Sequence, residues 1–433
     1  MTAVAERSPS QTPPSDTGGD DVPEGQPDRA ERIRLIVILG SLFAIGPLTI
    51  DMYLPALPAI TSDLLTSTAG VQFTLTGMML GSAFGQVIIG PLSDAFGRKR
   101  PLVIGLAVHV LASLLCAVAP NVTVLGSLRI LQGFGVASAA VIASAVVRDR
   151  FSGSAAAKVF SRLLLVMGVA PVLAPTLGSE VLRWTNWRGV FVTLALFGVA
   201  LVAVAAFALK ETLPPQRRRS AGPGATARTY AAISRDRVFV GLVGVAGLGF
   251  FALFAYVAGS SFVLQEQYGL DEQQFGYVFG LGAAGLIATS QLNVRLLNRF
   301  AAQQILLAAL VIGSVAGALL LVFAATGVGG LAGILVPLWV VLAICGLALP
   351  NSGALALNRH GEAAGTASAM LGASQFGAAA LAAPLVGALG AGSIAMGAVI
   401  TGGLVSALAV LLIVVRPWQL GSLDDAVAVA PAT

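Results

Sequence analysis

The sequence predicts an all-α membrane protein: twelve transmembrane helices in two six-helix halves, with the N- and C-termini in the cytoplasm. Three observations carry that expectation. Only 10% of the 433 residues are charged while 56% are hydrophobic, and mean hydropathy is +0.88; a soluble domain usually carries about 25% charged residues. The apolar residues come in runs of about 20 or more, the length that crosses a ~30 Å hydrocarbon core as a helix. Cations crowd into alternate loops between those runs. The short alternating segments of a membrane β-barrel are not the pattern, and a helix satisfies its own backbone groups in lipid.

Taken in order, residues 1–31 are polar and lack a hydrophobic stretch, so they read as a disordered cytoplasmic tail rather than a signal peptide. The first half, 32–209, holds runs at 33–58, 70–93, 101–119, 122–147, 158–182 and 188–209. Residues 210–236, with Pro214, Pro215, Pro223 and the triplet Arg217, Arg218, Arg219, read as a cytoplasmic linker. The second half, 237–415, holds runs at 237–262, 273–294, 302–325, 328–350, 364–389 and 391–415. Residues 416–433 form a second cytoplasmic tail.

With the N-terminus inside, the internal loops collect Arg98, Lys99 and Arg100, then Arg148, Arg150, Lys158 and Arg162, then the linker cations, then Arg295, Arg299 and Arg359. The external loops hold Arg183 and Arg188. That asymmetry sets the orientation. It also accounts for a net charge of +5 without nucleic acid, since the cations form no stripe with interleaved aromatics. Cys116 and Cys345 fall in apolar runs and read as packing residues, while His109 and His360 stand apart, so neither a metal nor a cofactor is expected.

Asp51 is the conspicuous charge. It lies about seven residues before Pro58, roughly 10 Å of helix inside the outer boundary. An ionised carboxylate at the bilayer centre costs about 2.5–3.5 kcal/mol on insertion scales, so such groups face the bundle interior and mark function. Pro55 has no N–H to give the Asp51 carbonyl four residues back, which adds a second polar group there. The bland alternative is an interfacial acid in a structural pair. Arg129, about seven residues into the fourth run, is the basic residue at matching depth. A direct Asp51–Arg129 pair is therefore geometrically possible; the alternative is that Arg129 holds backbone carbonyls in place. Tyr53, Gln72, Gln132, Asn351, Gln375 and the Phe-rich start of the seventh run, Phe250, Phe251 and Phe254, are candidates to line a cavity, although a Phe cluster in a membrane helix more often packs or faces lipid.

The loop after the second run reads Gly90-Pro91-Leu92-Ser93-Asp94-Ala95-Phe96-Gly97-Arg98-Lys99-Arg100. Asp94 can receive helix N-terminal N–H groups or arginine, and Gly97 permits a tight turn; the order suits a conformational latch between halves. It resembles the signature of the major facilitator superfamily, G-x-L-[AS]-D-x-x-G-R-[RK], with Ala95 where an arginine is usual. The segment 293–303 is at best a degenerate second copy. Asp51 through Pro58, Arg129 to Gly133, Pro171 and Pro175 through Gly178, and Leu349 to Asn351 are similar to the bicyclomycin/chloramphenicol-resistance branch of drug:proton antiporters.

The resemblance implies the major facilitator fold and carries roles residue by residue. Asp51 matches the first-helix acid that binds protons, and Arg129 the fourth-helix arginine linked to coupling. Gly90, Asp94, Gly97, Arg98 and Lys99 match the gating motif. Pro171, Pro175 and Gly178 match the antiporter motif, with Ala174 and Ser179 in place of two usual glycines. Some relatives carry a further acid where this chain has Phe43, so one proton per cycle is the simplest expectation. The implied function is proton-coupled export of small amphipathic drugs by a monomer in the lipid bilayer. The first alternative is export of an endogenous metabolite or amino acid derivative. A membrane-embedded enzyme needs a catalytic cluster, which two isolated histidines and one deep acid do not supply.

Overall fold

The computed structural model describes residues 29–151, 153–218, 223–360 and 364–420. Most of the expected N-terminal tail and the chain beyond 420 lie outside these residues. Among the described residues, eleven helices are long and apolar enough to cross a membrane. They are built on α1 (Arg29–Asp51) with its continuation α2 (Leu57–Asp63), α3 (Thr68–Phe96), α4 (Lys99–Ala117), α5 (Val122–Arg150) and α7 (Trp187–Ala203) in the first half. The second half supplies α9 (Arg237–Ser261), α10 (Glu272–Leu296), α11 (Ala302–Thr326), α12 (Gly330–Asn358), α13 (Ala364–Ala388) and α14 (Ser393–Val410). The remaining expected run, 158–182, falls on α6 (Gly153–Trp184), a continuous helix through Pro171 and Pro175.

Polar side chains at the helix starts set the boundaries. The Ser67 hydroxyl accepts from Gly70 N–H at 3.1 Å, Asn121 from Val124 N–H at 2.9 Å, and Asp271 forms a reciprocal capping box with Gln274. Each satisfies a donor that the first helical turn leaves free.

Two elements depart from expectation. The first run does not end at 58: α1 stops at Asp51, a 3₁₀ turn spans Leu54–Ala56, and α2 carries the chain on to Asp63. Pro55 and Pro58 cause this, because neither can donate to the turn before it. The other is an added helix that the sequence did not specify: within the linker lies α8 (Pro223–Ile233), with proline at the first helical position, where its missing N–H costs nothing.

Small residues draw the helices together. A Cβ at Gly81 of α3 would collide with the Ile130 carbonyl oxygen of α5, and one at Gly133 would collide with that of Met78. Close approach of this kind compensates for the missing hydrophobic drive between helices in lipid. The halves meet along α3 with α13, where Gly387 faces Ala69 and Gln72, and along α6 with α10, where Gly276 and Gly280 face Thr176 and Val172.

Candidate functional site

Between the halves lies a cavity of about 1490 Å³. Its lining runs from Ile50 and Asp51 to Asp94, Arg98, Arg148 and Arg218 at the basic end of the bundle. Asp94 there has 49% side-chain exposure, and Arg148 is exposed, so this end meets solvent.

The opposite end is closed by contacts that follow from the broken first helix. The Leu54 carbonyl accepts from the Ser261 hydroxyl at 2.7 Å, and the Pro55 carbonyl accepts from Gln265 Nε2 at 3.3 Å. Gln265 belongs to the π-helical turn Phe262–Gln267 that extends α9. Gln72 Nε2 donates across the same boundary to the Ala258 carbonyl at 3.2 Å. Carbonyls at the break thus join the seal between halves, the Leu54 carbonyl while also accepting from the Leu57 N–H.

Asp51 sits beneath that seal on the first-half wall, 6% exposed. Arg129 is fully buried nearby but does not pair with it. Its Nη1 donates to the Thr49 carbonyl at 3.1 Å and to Gln132 Oε1 at 2.6 Å. The guanidinium lies 4.6 Å from the Tyr53 ring centre and 5.8 Å from that of Phe191. The direct pair that their depths allow is therefore absent among the described contacts, and Arg129 instead holds a backbone carbonyl, the alternative reading of its depth. The end of α1 exposes the acid to the cavity, while Arg129 is enclosed in the wall and bound to carbonyl, amide and ring faces.

Of the cavity candidates, Phe254 and Gln375 line it. Tyr53, Gln72, Gln132 and Asn351 lie in the walls. Tyr53 shares a hydrogen bond with Thr74 at 2.8 Å, Gln72 serves the seal, and Gln132 bridges Arg129 to the Ser113 hydroxyl, the latter at 2.7 Å. Asn351 donates to Asn293 Oδ1 at 2.7 Å inside the second half. Sequence depth located these residues along the helices but not around them. Phe250 also lines the cavity whereas Phe251 packs on Gly403. Ser82, Gln86, Tyr256, Phe279 and Phe376 line it without having been singled out.

At the basic end, Arg98 donates to Asp94, to the Ser93 hydroxyl at 2.8 Å and to Asp149 at 2.9 Å. The Thr212 hydroxyl donates to the same Asp149 at 2.8 Å. Glu211, directly after the sixth run, was overlooked in the sequence. It accepts from the backbone N–H of Arg98 at 2.8 Å and of Lys99 at 3.2 Å, capping the start of α4. Burial alone would raise its carboxyl, but the N–H groups of Leu213, Arg98, Lys99 and Thr212 hold it below the ordinary value. Gly97, at φ +89°, brings the chain against Glu211 and Arg218, where a side chain would intrude. The described contacts of Asp94 stay within the first half, and Gly90 lines the cavity with free space beside it.

In α6, Pro171 lines the cavity. Gly178 packs its backbone on Met52, where a Cβ would collide with the carbonyl oxygen. One turn on from Pro175, the Ser179 hydroxyl lies 2.7 Å from the Glu272 carbonyl of α10 and 2.8 Å from the Pro175 carbonyl. The segment thus holds the broken first helix on one side and the second half on the other.

Comparison with known proteins agrees with this architecture. Residues 39–383 match the family model of the Major Facilitator Superfamily. The chain is 36% identical over 348 residues to the uncharacterized MFS-type transporter YdgK of Bacillus subtilis, covering 80% of this chain and 86% of the relative. It is 32% identical over 341 residues to a bicyclomycin resistance protein homolog of Haemophilus influenzae, covering 79% and 85%. A further relative is the multidrug resistance protein MdtL of Escherichia coli, 30% identical over 250 residues, 58% of this chain and 63% of the relative. Among solved structures, a D-xylose-proton symporter superposes with a TM-score of 0.71 at 16% identity, covering 90% of this chain and 99% of the symporter; this likeness concerns the fold. The resemblance to the bicyclomycin-resistance branch is matched by these relatives. The chain belongs to the major facilitator superfamily, as a multi-pass transporter of the bacterial cytoplasmic membrane and not an enzyme.

Proposed function

We propose that this protein exports small amphipathic molecules, chloramphenicol- or bicyclomycin-like, in exchange for protons by alternating access. The observation that carries the reading is one cavity with a buried carboxylate at its closed end and a solvent-facing basic end. The positive-inside rule assigns the basic end to the cytoplasm, which makes this the inward-open state, with twelve spans and both termini inside. The names of the Haemophilus influenzae and Escherichia coli relatives support the substrate side of the reading. The cavity lies within a single chain, which favours a monomer as the working unit, and the proton gradient serves as the energy source with no cofactor.

In this state an ionised Asp51 faces the loaded cavity. Reversal of the halves opens it to the outside, where a proton neutralises it as substrate leaves. The neutral site then tolerates burial on the return, and the proton is released to the cytoplasm. Expression in an efflux-deficient host against a panel of antibiotics and metabolites tests the substrate. Inside-out vesicles under an imposed pH gradient test the coupling. Accumulation that collapses with the gradient supports antiport; accumulation that persists without it contradicts antiport.

A further inference from the structure

Charge and aromatic rings are segregated by half in the cavity. Every charged residue that lines it among the described residues comes from the first half or the linker: Asp51, Asp94, Arg98, Arg148 and Arg218. The second-half wall carries no acid or base but supplies Phe250, Phe254, Tyr256, Phe279 and Phe376. The first half supplies one ring, Phe43, and elsewhere small or neutral polar groups such as Gly46, Ser82, Gln86 and Ala140.

The second-half rings are held against one another. Phe250 stacks with Phe254 at 6.5 Å and 19°, and meets Phe376 edge-on at 5.7 Å and 68°. Tyr256 stacks on Phe279 at 5.0 Å and 18°. Phe250 and Phe254 are four residues apart on α9 and so share a face, while Phe376 comes from α13. Phe254 is 2% exposed, whereas Phe250 and Phe376 are half-buried, which leaves those two ring surfaces for a ligand. A further ring placed there gains edge or face contact beyond simple burial.

Resting on the drug-export reading, we infer that substrate recognition belongs to the second half, with Phe250 and Phe376 taking a planar aromatic group of the substrate, while the proton belongs to Asp51 on the first. The two ligands then do not contend for one group. Coupling passes through the relative movement of the halves, and the wall selects molecules with a flat ring over equally apolar molecules without one.

The test measures binding to the full-length protein in nanodiscs by calorimetry, with chloramphenicol, which carries a benzene ring, and bicyclomycin, which carries none. The readout is the ratio of their affinities in the parent, in Phe250→Leu and in Phe376→Leu. Leucine keeps apolar bulk without a ring. Each leucine variant should lower the ratio about fivefold, equally at about pH 6 and about pH 8, and Phe250→Tyr, which keeps the ring, should retain it. Monodisperse elution checks that each variant folds, and Phe250→Met or Phe376→Met, which also keep apolar bulk without a ring, replace a leucine variant that does not. Ratios within about twofold of the parent's, or a loss confined to one pH, overturn the inference alone. Failure of the parent to bind either probe overturns the drug-export reading with it.

Discussion

Arg129 shows what a buried cation needs when no acid answers it. Its charge rests on the Thr49 carbonyl, the Gln132 amide and the face of Tyr53. Tyr53→Phe removes only the bond to Thr74 and should cost about 1 kcal/mol. Tyr53→Leu also removes the ring beneath the guanidinium and should cost about 2 kcal/mol more. Unfolding of the purified protein in detergent distinguishes these steps; equal losses would deny the ring its role. The position of Asp51 and Arg129 along their helices was legible in the sequence, because a lone charge in an apolar run is conspicuous. Their separation was not. It depends on α1 ending at Asp51 and on Arg129 finding acceptors in its own half, both products of packing.

Elements carry the next set of consequences. The α3–α5 contact leaves no room at Gly81, while nothing lies within 4 Å of a side chain at Gly285 on α10. Gly81→Ala should cost about 1–3 kcal/mol by overpacking and lower the thermal midpoint, and Gly285→Ala should not. The Glu211 clasp on α4 predicts a pH dependence. Its carboxyl is held below the ordinary value of 4.5, so its stabilisation is fully present above about that pH and is lost as pH falls through the lowered value. Half-exposed as it is, the clasp contributes about 1 kcal/mol. Glu211→Gln should therefore be less stable than the parent at neutral pH, with the gap closing in acid; a gap that is constant with pH would contradict the charge-based clasp.

The helices themselves were readable from run length alone; proline chemistry marked the Asp51 carbonyl as unpartnered but did not give the break that follows it. The partners that the Leu54 and Pro55 carbonyls find across the fold, Ser261 and Gln265, were not readable, since they lie in the other half. For the same reason Phe254 and Gln375 proved to line the cavity and Gln72 and Asn351 did not. Apolar runs with no polar face give no sign of which side turns inward. The start of α8 at Pro223 and the proximity of Glu211 to the basic loop did leave signals, each too short to outweigh the proline-rich character of the linker.

At the scale of the whole molecule, the proposed alternating access requires closure of one end and opening of the other to take turns. Gly276 of α10 faces the Ser179 hydroxyl at a distance of 3.2 Å from where its Cβ would stand, close to disulfide geometry. The double variant Ser179→Cys, Gly276→Cys should oxidise to a cross-link that holds the outer end shut, halting transport until it is reduced; the native Cys116 and Cys345 are buried and free. Undiminished transport in the cross-linked protein would mean that this seam does not open.

The central claim is that one carboxylate, set at the closed end of the cavity, ties substrate movement to a proton. The most direct measurement compares substrate exchange without a gradient to gradient-driven uptake in inside-out vesicles, for the parent and for Asp51→Asn. The account predicts that the variant still exchanges substrate across the membrane but no longer accumulates it against a concentration gradient. Gradient-driven accumulation at the parent's level in Asp51→Asn would contradict it.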